Sequence, residues 1–117
     1  MILDAKHAMH QKLFRQFAQT EFTKEMQDEL DETGEFNWDI HHKMAKYGFM
    51  GLKIPKEYGG QGADYLTYCL MIEELARENC VMSIYANTSN SLGGGPLLLA
   101  GSEEQKRKYL PPIASGE

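Results

Sequence analysis

The spacing of apolar residues along the first third of the chain predicts two amphipathic helices. Over residues 4–26, apolar side chains recur at steps of three and four residues, so they share one stripe of a long helix. They are Met9, Leu13, Phe14, Phe17, Ala18, Phe22 and Met26. Residues 27–36 are acidic and contain Gly34, so a solvated connection is expected to follow. Asn37 then caps a second helix, and Gly48 allows a left-handed exit from it. This helix is expected to bury Trp38, Ile40, Met44, Ala45 and Tyr47.

The middle of the chain predicts a loop followed by a third helix. A proline and several glycines interrupt the pattern in residues 49–63, which indicates a structured loop. Asp64 caps the next helix, which is expected to bury Leu66, Leu70, Met71, Leu75 and Ala76. Its charged residues are expected to face outward or toward a partner, namely Glu73, Glu74, Arg77 and Glu78.

Residues 81–92 form an unusual helical segment. Apolar or small side chains occur at helical spacing at Val81, Ile84, Tyr85, Thr88 and Leu92. Residues 87–91 are weak helix formers, so tertiary packing must hold the segment, which we expect to be buried. Its small polar side chains leave two interpretations open: the segment lines a ligand channel, or it lets neighbouring helices approach closely.

Glycine and proline are expected to divide the rest of the chain. Residues 93–95 are all glycine and are expected to end the preceding helix, after which Pro96 opens a short buried turn and a helical hairpin forms. Ser102 and Gln105 match a capping box, and Pro111 and Pro112 are expected to stop the last helix. No convincing alternation of period two occurs, so the sequence predicts an all-α fold, an up-and-down bundle of about five or six helices.

Composition narrows the classes of partner. The 117 residues suit one domain, and 17 acidic against 12 basic residues give a net charge of −5. Nucleic acid and anionic membrane surfaces are therefore unfavourable partners. The longest apolar run, residues 97–100, is too short to span a membrane, and the N-terminal residues do not resemble a secretory signal. A cytoplasmic location is expected.

The usual signatures of catalysis do not occur in this sequence. The glycine-rich residues 59–62 and 93–95 lack the lysine of a phosphate-binding loop and follow no predicted strand, so both are expected to be turns. Metal-ligand spacing is not found among His7, His10, His41 and His42. Cys69 and Cys80 lack redox spacing and are expected to be small buried hydrophobes. The residues alone therefore indicate no enzyme class.

Four segments, in their order and spacing, resemble the N-terminal helical domain of acyl-CoA dehydrogenases. They are residues 49–62 (FMGLKIPKEYGGQG), 73–76 (EELA), 101–111 (GSEEQK to YLP) and 116–117 (GE). The resemblance covers essentially the whole chain and implies that residues 1–117 are this domain, with a β-domain and a C-terminal helical bundle lying outside it. It implies a homo-oligomeric enzyme that uses FAD, bound mostly by those other segments, and passes electrons to an electron-transfer flavoprotein. The implied reaction is α,β-dehydrogenation of an acyl-CoA thioester, with hydride transfer to the flavin.

The resemblance also implies a substrate site. Matching residues 90–93 and Pro96 to the family pattern places four side chains against the acyl chain, namely Ile84, Tyr85, Thr88 and Leu92. Tyr85 departs from the small residue often found at its position, so it either shortens the pocket in favour of short or polar acyl groups or belongs to the core. The catalytic base is expected outside this chain, which alone would be inactive. Surface or interdomain ion pairs are expected for Glu73, Glu74, Glu103 and Glu104.

Two alternatives stay open beside the dehydrogenase interpretation. One is a free-standing helical interaction module that keeps the fold without the chemistry. The other is a related acyl-CoA oxidase, which shares the fold but passes electrons to oxygen.

Overall fold

A computed structural model describes residues 2–117, and this part of the chain contains seven α-helices and no strand. The helices are α1 (Ala5–Glu21), α2 (Lys24–Thr33), α3 (Trp38–Lys46), α4 (Tyr65–Glu78), α5 (Cys80–Asn87), α6 (Gly94–Ala100) and α7 (Glu103–Ser115). A π-helical turn, Thr88–Gly93, joins α5 to α6 without a break, so the seven helices form six rods. The predicted all-α class is confirmed.

The helices pack into a flat body of 42 × 39 × 19 Å with two apolar clusters. In the larger cluster, the Phe17 and Phe49 rings meet edge to face at 4.8 Å, and Phe14 meets Phe49 at 5.3 Å. The smaller cluster joins Ile54 and Tyr58 of the loop before α4 to Leu110 and Ala114 of α7. Within residues 2–117, no helix combines the length and the apolar character that crossing a bilayer requires.

The long first helix predicted over residues 4–26 is wrong, because the chain turns at Phe22. Phe22 leaves the helical conformation with φ −90° and ψ 68° while its ring stays in the core. The Thr23 hydroxyl then accepts a hydrogen bond from the Met26 N–H at 3.2 Å and caps α2. The acidic segment predicted as a connection is therefore helical as far as Thr33, and Gly34 ends it with φ 66°.

The predicted caps of α3, α4 and α7 are confirmed. The Asn37 side chain accepts from the Ile40 N–H at 3.0 Å, and the Asp64 side chain accepts from the Thr67 N–H at 2.8 Å. Ser102 and Gln105 form the complete capping box. In α3, however, Trp38 and Tyr47 are exposed rather than buried, since the packed side of this helix carries Ile40 and Met44.

The predicted hairpin at residues 93–101 is wrong, because the glycines continue the helix. Gly93 and Gly94 keep right-handed φ values of −93° and −69°. A Cβ atom on Gly94 would lie 2.7 Å from the Ser89 carbonyl oxygen and 3.4 Å from Ile54 Cδ1, so glycine permits a close approach here. Pro96 lies at the start of α6, three residues after the π-helical turn ends.

The predicted stop at Pro111 and Pro112 is also wrong, since α7 runs through both prolines to Ser115. Leu110 and Ala114 are buried on either side of the pair. A Cβ atom on Gly51 would lie 2.6 Å from the Ala114 Cβ, so the loop backbone packs directly on α7. These contacts hold the helix where local propensity would end it.

The prediction that both cysteines are buried is wrong. Cys69 and Cys80 are exposed free thiols. On α4 the neighbouring Leu70 and Met71 take the buried positions, which leaves Cys69 on the outer side of the helix.

Candidate functional site

The four predicted site residues lie on the continuous rod formed by α5, the π-helical turn and α6. Ile84 is 49% exposed, Leu92 is 65% exposed and Thr88 is also exposed. The opposite side of the rod carries the buried residues Met82, Ser83, Ala86 and Asn90. The rod therefore presents the predicted face outward, and the expectation that this face is buried is wrong for the described residues. We call Ile84, Thr88 and Leu92 the open face.

The Tyr85 side chain lies at the border of the open face and contacts the loop between α2 and α3. Its ring stacks on Phe36, with centroids 4.2 Å apart and planes at 6°. The Tyr85 hydroxyl accepts a hydrogen bond from the backbone N–H of Asn37 at 3.1 Å. Tyr85 is partly buried and packs at the edge of the main core cluster. The structure thus gathers three of the four residues on one surface and places Tyr85 at its border.

Asn90 fixes the π-helical turn, a role that the sequence did not predict. Its side chain is 0% exposed. Its amide nitrogen donates to the carbonyl oxygens of Phe49 at 2.7 Å and Ala86 at 2.9 Å, and its Oδ1 accepts from the Lys53 N–H at 2.9 Å. These bonds join the turn to the loop of residues 49–63 and hold the open face in position. The sequence did contain a sign of this role, since Asn90 is a polar residue in a segment that was expected to be buried, and buried polar groups need hydrogen-bond partners.

The open face is not a closed cavity on its own. A cleft of about 470 Å³ lies elsewhere, between α1, the loop before α4 and the start of α4. Its walls include Leu13, Phe14, Leu52 and Thr67, and none of the four predicted site residues. The open face therefore has the form of one wall, which other groups must complete to enclose a ligand.

The prediction that Glu74 faces outward or toward a partner, in a surface or interdomain ion pair, is wrong. Glu74 is 1% exposed, because it lies where α4 packs along α1. Its carboxylate accepts from Gln11 Nε2 at 3.0 Å and Arg77 Nη1 at 3.1 Å, and Arg15 Nε lies 3.7 Å away. A buried carboxylate needs such partners, so this cluster serves to join two helices. Glu103, by contrast, forms a surface ion pair with Arg107 at 2.8 Å.

His7 connects the N-termini of α1 and α4. Its Nδ1 lies 2.8 Å from Asp4 Oδ1, and its Nε2 lies 2.9 Å from Asp64 Oδ2. The hydrogen bond to Asp64, followed by the bond to Asp4, raises the pKa of His7 above its ordinary value. Hydrogen bonds from Thr67, and then from His7, hold the pKa of Asp64 well below its usual range. The charged forms of His7 and Asp64 therefore stabilise the fold.

We expect the stabilising effect of His7 to depend on pH. A raised folded-state pKa stabilises the protein below the ordinary histidine value of 6.5, and the effect is lost as pH rises through the raised value. The wild type should melt at a higher temperature than His7→Gln. This difference in melting temperature should be largest near pH 5.5 and should shrink toward pH 8.5. Thermal melts across this range test it, with His42→Gln as control. A difference independent of pH would contradict the assignment.

Neither glycine-rich segment forms an open phosphate cradle. The turn at residues 59–62 is closed, since a Cβ atom on Gly60 would lie 2.0 Å from the Ile54 carbonyl oxygen. Gly59 and Gly62 have φ values of 88° and 62°, which confirms the predicted turn. The second segment, residues 93–95, is helical rather than a turn. These residues do not fit a dinucleotide.

Comparisons with known proteins bear on the whole chain. Residues 4–117 match the family described as acyl-CoA dehydrogenase, N-terminal domain. The chain is 50% identical to caffeyl-CoA reductase-Etf complex subunit CarC of Acetobacterium woodii and 47% identical to a 3-(aryl)acrylate reductase of Clostridium sporogenes. Each match covers 100% of this chain and 31% of the relative, so the chain spans about a third of the length of these curated relatives.

A solved structure matches the fold as well. The crystal structure of an acyl-CoA dehydrogenase complexed with FAD from Bacillus anthracis superposes with a TM-score of 0.81 and 30% sequence identity. The superposition covers 97% of this chain and 19% of that one.

Proposed function

This chain belongs to the acyl-CoA dehydrogenase family as its N-terminal domain, and we propose that it forms one wall of the acyl pocket of an FAD-dependent enzyme. The enzyme would dehydrogenate an acyl-CoA thioester between the α and β carbons. The open face carries this proposal, because exposed Ile84 and Leu92 share a surface that other groups must cover. Residues 1–117 would then be one domain of a longer protein, with a β-domain and a C-terminal helical bundle as further parts.

The proposed substrate is a CoA thioester whose acyl group carries an aromatic ring. Two relatives, at 50% and 47% identity, are named for caffeyl-CoA and for 3-(aryl)acrylates. Both are named reductases, so the chemistry would interconvert a saturated acyl group and its α,β-unsaturated counterpart in either direction. Ile84, Thr88 and Leu92 would contact the acyl group.

FAD is the proposed cofactor, and segments outside the described residues would hold most of it. The match to an acyl-CoA dehydrogenase complexed with FAD supports this assignment. When bound, FAD supplies the redox chemistry of the reaction. The residues of this chain would bind the acyl group and exclude water from it. We assign the base that removes the α-proton to another part of the protein.

Electron transfer, assembly and location complete the proposal. One relative is named as a subunit of a complex with Etf, which supports an electron-transfer flavoprotein as the redox partner. We propose a homo-oligomer, as the family resemblance implies, and a cytoplasmic location.

We expect Leu92→Asp to lower kcat/KM for the acyl-CoA substrate at least about tenfold in the full-length flavoprotein, because a carboxylate in an apolar pocket is costly to desolvate. Leu92 is 65% exposed in this chain, so its replacement should leave the fold of this domain intact, and flavin content is measured beside the kinetics. The assay follows reduction of a dye acceptor with 3-phenylpropionyl-CoA.

The matched control is Leu99→Asp, since Leu99 is 90% exposed and lies outside the open face. Equal loss in the two variants would contradict the assignment of the pocket wall. A wild-type protein that neither binds flavin nor oxidises the thioester would favour the interaction module. Rapid reduction of oxygen in place of the dye would favour the oxidase.

A further inference from the structure

The ring of Tyr85 is fixed by two contacts with the loop between α2 and α3. It stacks on Phe36 at 4.2 Å, and its hydroxyl accepts from the Asn37 N–H at 3.1 Å. Asn37 is itself held, because its side chain accepts from the Ile40 N–H at 3.0 Å and caps α3. The phenol ring therefore cannot change rotamer without losing both a stack and a hydrogen bond.

This fixed ring borders the open face. Tyr85 follows Ile84 directly and precedes Thr88 by three positions, so it lies about one helical turn from Thr88. The aromatic surface continues beyond Tyr85, since the rings of Phe36 and Trp38 lie 4.7 Å apart and both residues are exposed. A flat and rigid aromatic surface thus adjoins the apolar wall.

On the basis of the proposed function, we infer that Tyr85 selects acyl-CoA thioesters with an aryl group on the β carbon over thioesters of straight-chain acids. Phe36 covers one face of the tyrosine ring, and an aryl ring can meet the other face in an offset stack or the ring edge to face, which adds to the gain from area burial. An alkyl chain gains from area burial alone. Because the tyrosine ring is already fixed, binding costs it little rotamer entropy. Phe36 acts through Tyr85 and is a positioning residue.

The test uses the full-length flavoprotein and two pairs of thioesters. Steady-state kinetics with a dye acceptor give the ratio of kcat/KM for 3-phenylpropionyl-CoA over butyryl-CoA. Calorimetric titration gives the corresponding ratio of Kd values for cinnamoyl-CoA and crotonyl-CoA. We expect Tyr85→Leu to lower the preference for the aryl thioester by roughly two- to tenfold in both measurements. Phe36→Leu should lower it in the same direction, and Tyr85→Phe, which keeps the stacked ring, should retain most of it.

The control is Tyr109→Leu, an exposed tyrosine on α7, which should leave the ratio unchanged. Should Tyr85→Leu fail to fold or to retain flavin, the Phe36→Leu ratio decides the question. An unchanged ratio in the folded variants, with both thioesters still oxidised, would overturn this inference alone. Oxidation of neither thioester by the wild-type protein would overturn the proposed function and this inference with it.

Discussion

Replacing Asn90 with aspartate is expected to lower the free energy of unfolding of this chain by about 3 to 5 kcal/mol. The change keeps the size of the side chain and the acceptor for the Lys53 N–H. It removes both donated hydrogen bonds and places a carboxylate oxygen against the carbonyl oxygens of Phe49 and Ala86, where no water can replace the lost partner. A loss of this size is a large fraction of the total stability of a domain, which is about 5 to 15 kcal/mol.

Chemical denaturation of wild type and variant measures this loss, and Thr88→Ala provides the control. Thr88 belongs to the same π-helical turn but is exposed, so its truncation should change stability by less than ~0.5 kcal/mol. Asn90→Ala should also be strongly destabilising, because it removes all three hydrogen bonds of a fully buried side chain. If Asn90→Asp were no less stable than Thr88→Ala, the three hydrogen bonds would not hold the turn as described.

The helix starts were predictable because they depend on neighbours in sequence. Asn37, Asp64 and Ser102 each accept from an N–H three residues later, and that pattern is visible in the sequence itself. Gly48 ends its helix with a φ of 80°, as predicted. Periodicity then correctly predicted three of the six buried side chains of α4, namely Leu70, Met71 and Leu75.

The sequence did not show that two helices continue past residues that usually end a helix, because the packing of the folded chain decides this. Local rules stop α7 at its prolines, yet burial of Leu110 and Ala114 carries the helix through them. Local rules likewise stop α5 at the glycines, whereas in the continuous rod a Cβ atom on Gly94 would lie 2.7 Å from the Ser89 carbonyl oxygen, so glycine is required there. The sequence shows neither the packing on α7 nor the π-helical turn that brings the Ser89 carbonyl against Gly94.

The sequence predicted only part of the candidate site. A period of 3.6 residues was enough to place Ile84, Thr88 and Leu92 on one face, and the structure confirms that they share it. Their contact with an acyl group stays a prediction. Whether this face is buried depends on which groups pack against it, and the spacing of apolar residues does not contain that information. The partners of Tyr85 were also hidden, because Asn37 lies 48 positions earlier in the chain.

Gly60→Ala is expected to destabilise the chain by about 3 kcal/mol or more, at the severe end of overpacking in a closed site. A Cβ atom there would lie 2.0 Å from the Ile54 carbonyl oxygen and 2.5 Å from its carbonyl carbon. These are backbone atoms of a fully buried residue, so no flexible side chain can move aside. The Ile54 carbonyl also accepts from the Gly62 N–H at 2.9 Å, so moving it would break the hydrogen bond that closes the turn.

The control for this substitution is Gly95→Ala in α6. Beyond its chain neighbours and the adjacent backbone of its own helix, nothing lies within 4 Å of a Cβ atom at Gly95, and its φ is not positive, so alanine fits there without strain. Because alanine favours helix over glycine by up to ~1 kcal/mol, this variant should equal or exceed the wild type in stability. Paired denaturation curves should show a large loss in the free energy of unfolding for Gly60→Ala and none for Gly95→Ala. Similar stability in the two variants would mean that the loop can open at Gly60. Residues 49–53 would then not be rigid enough to hold Asn90 and, through it, the open face.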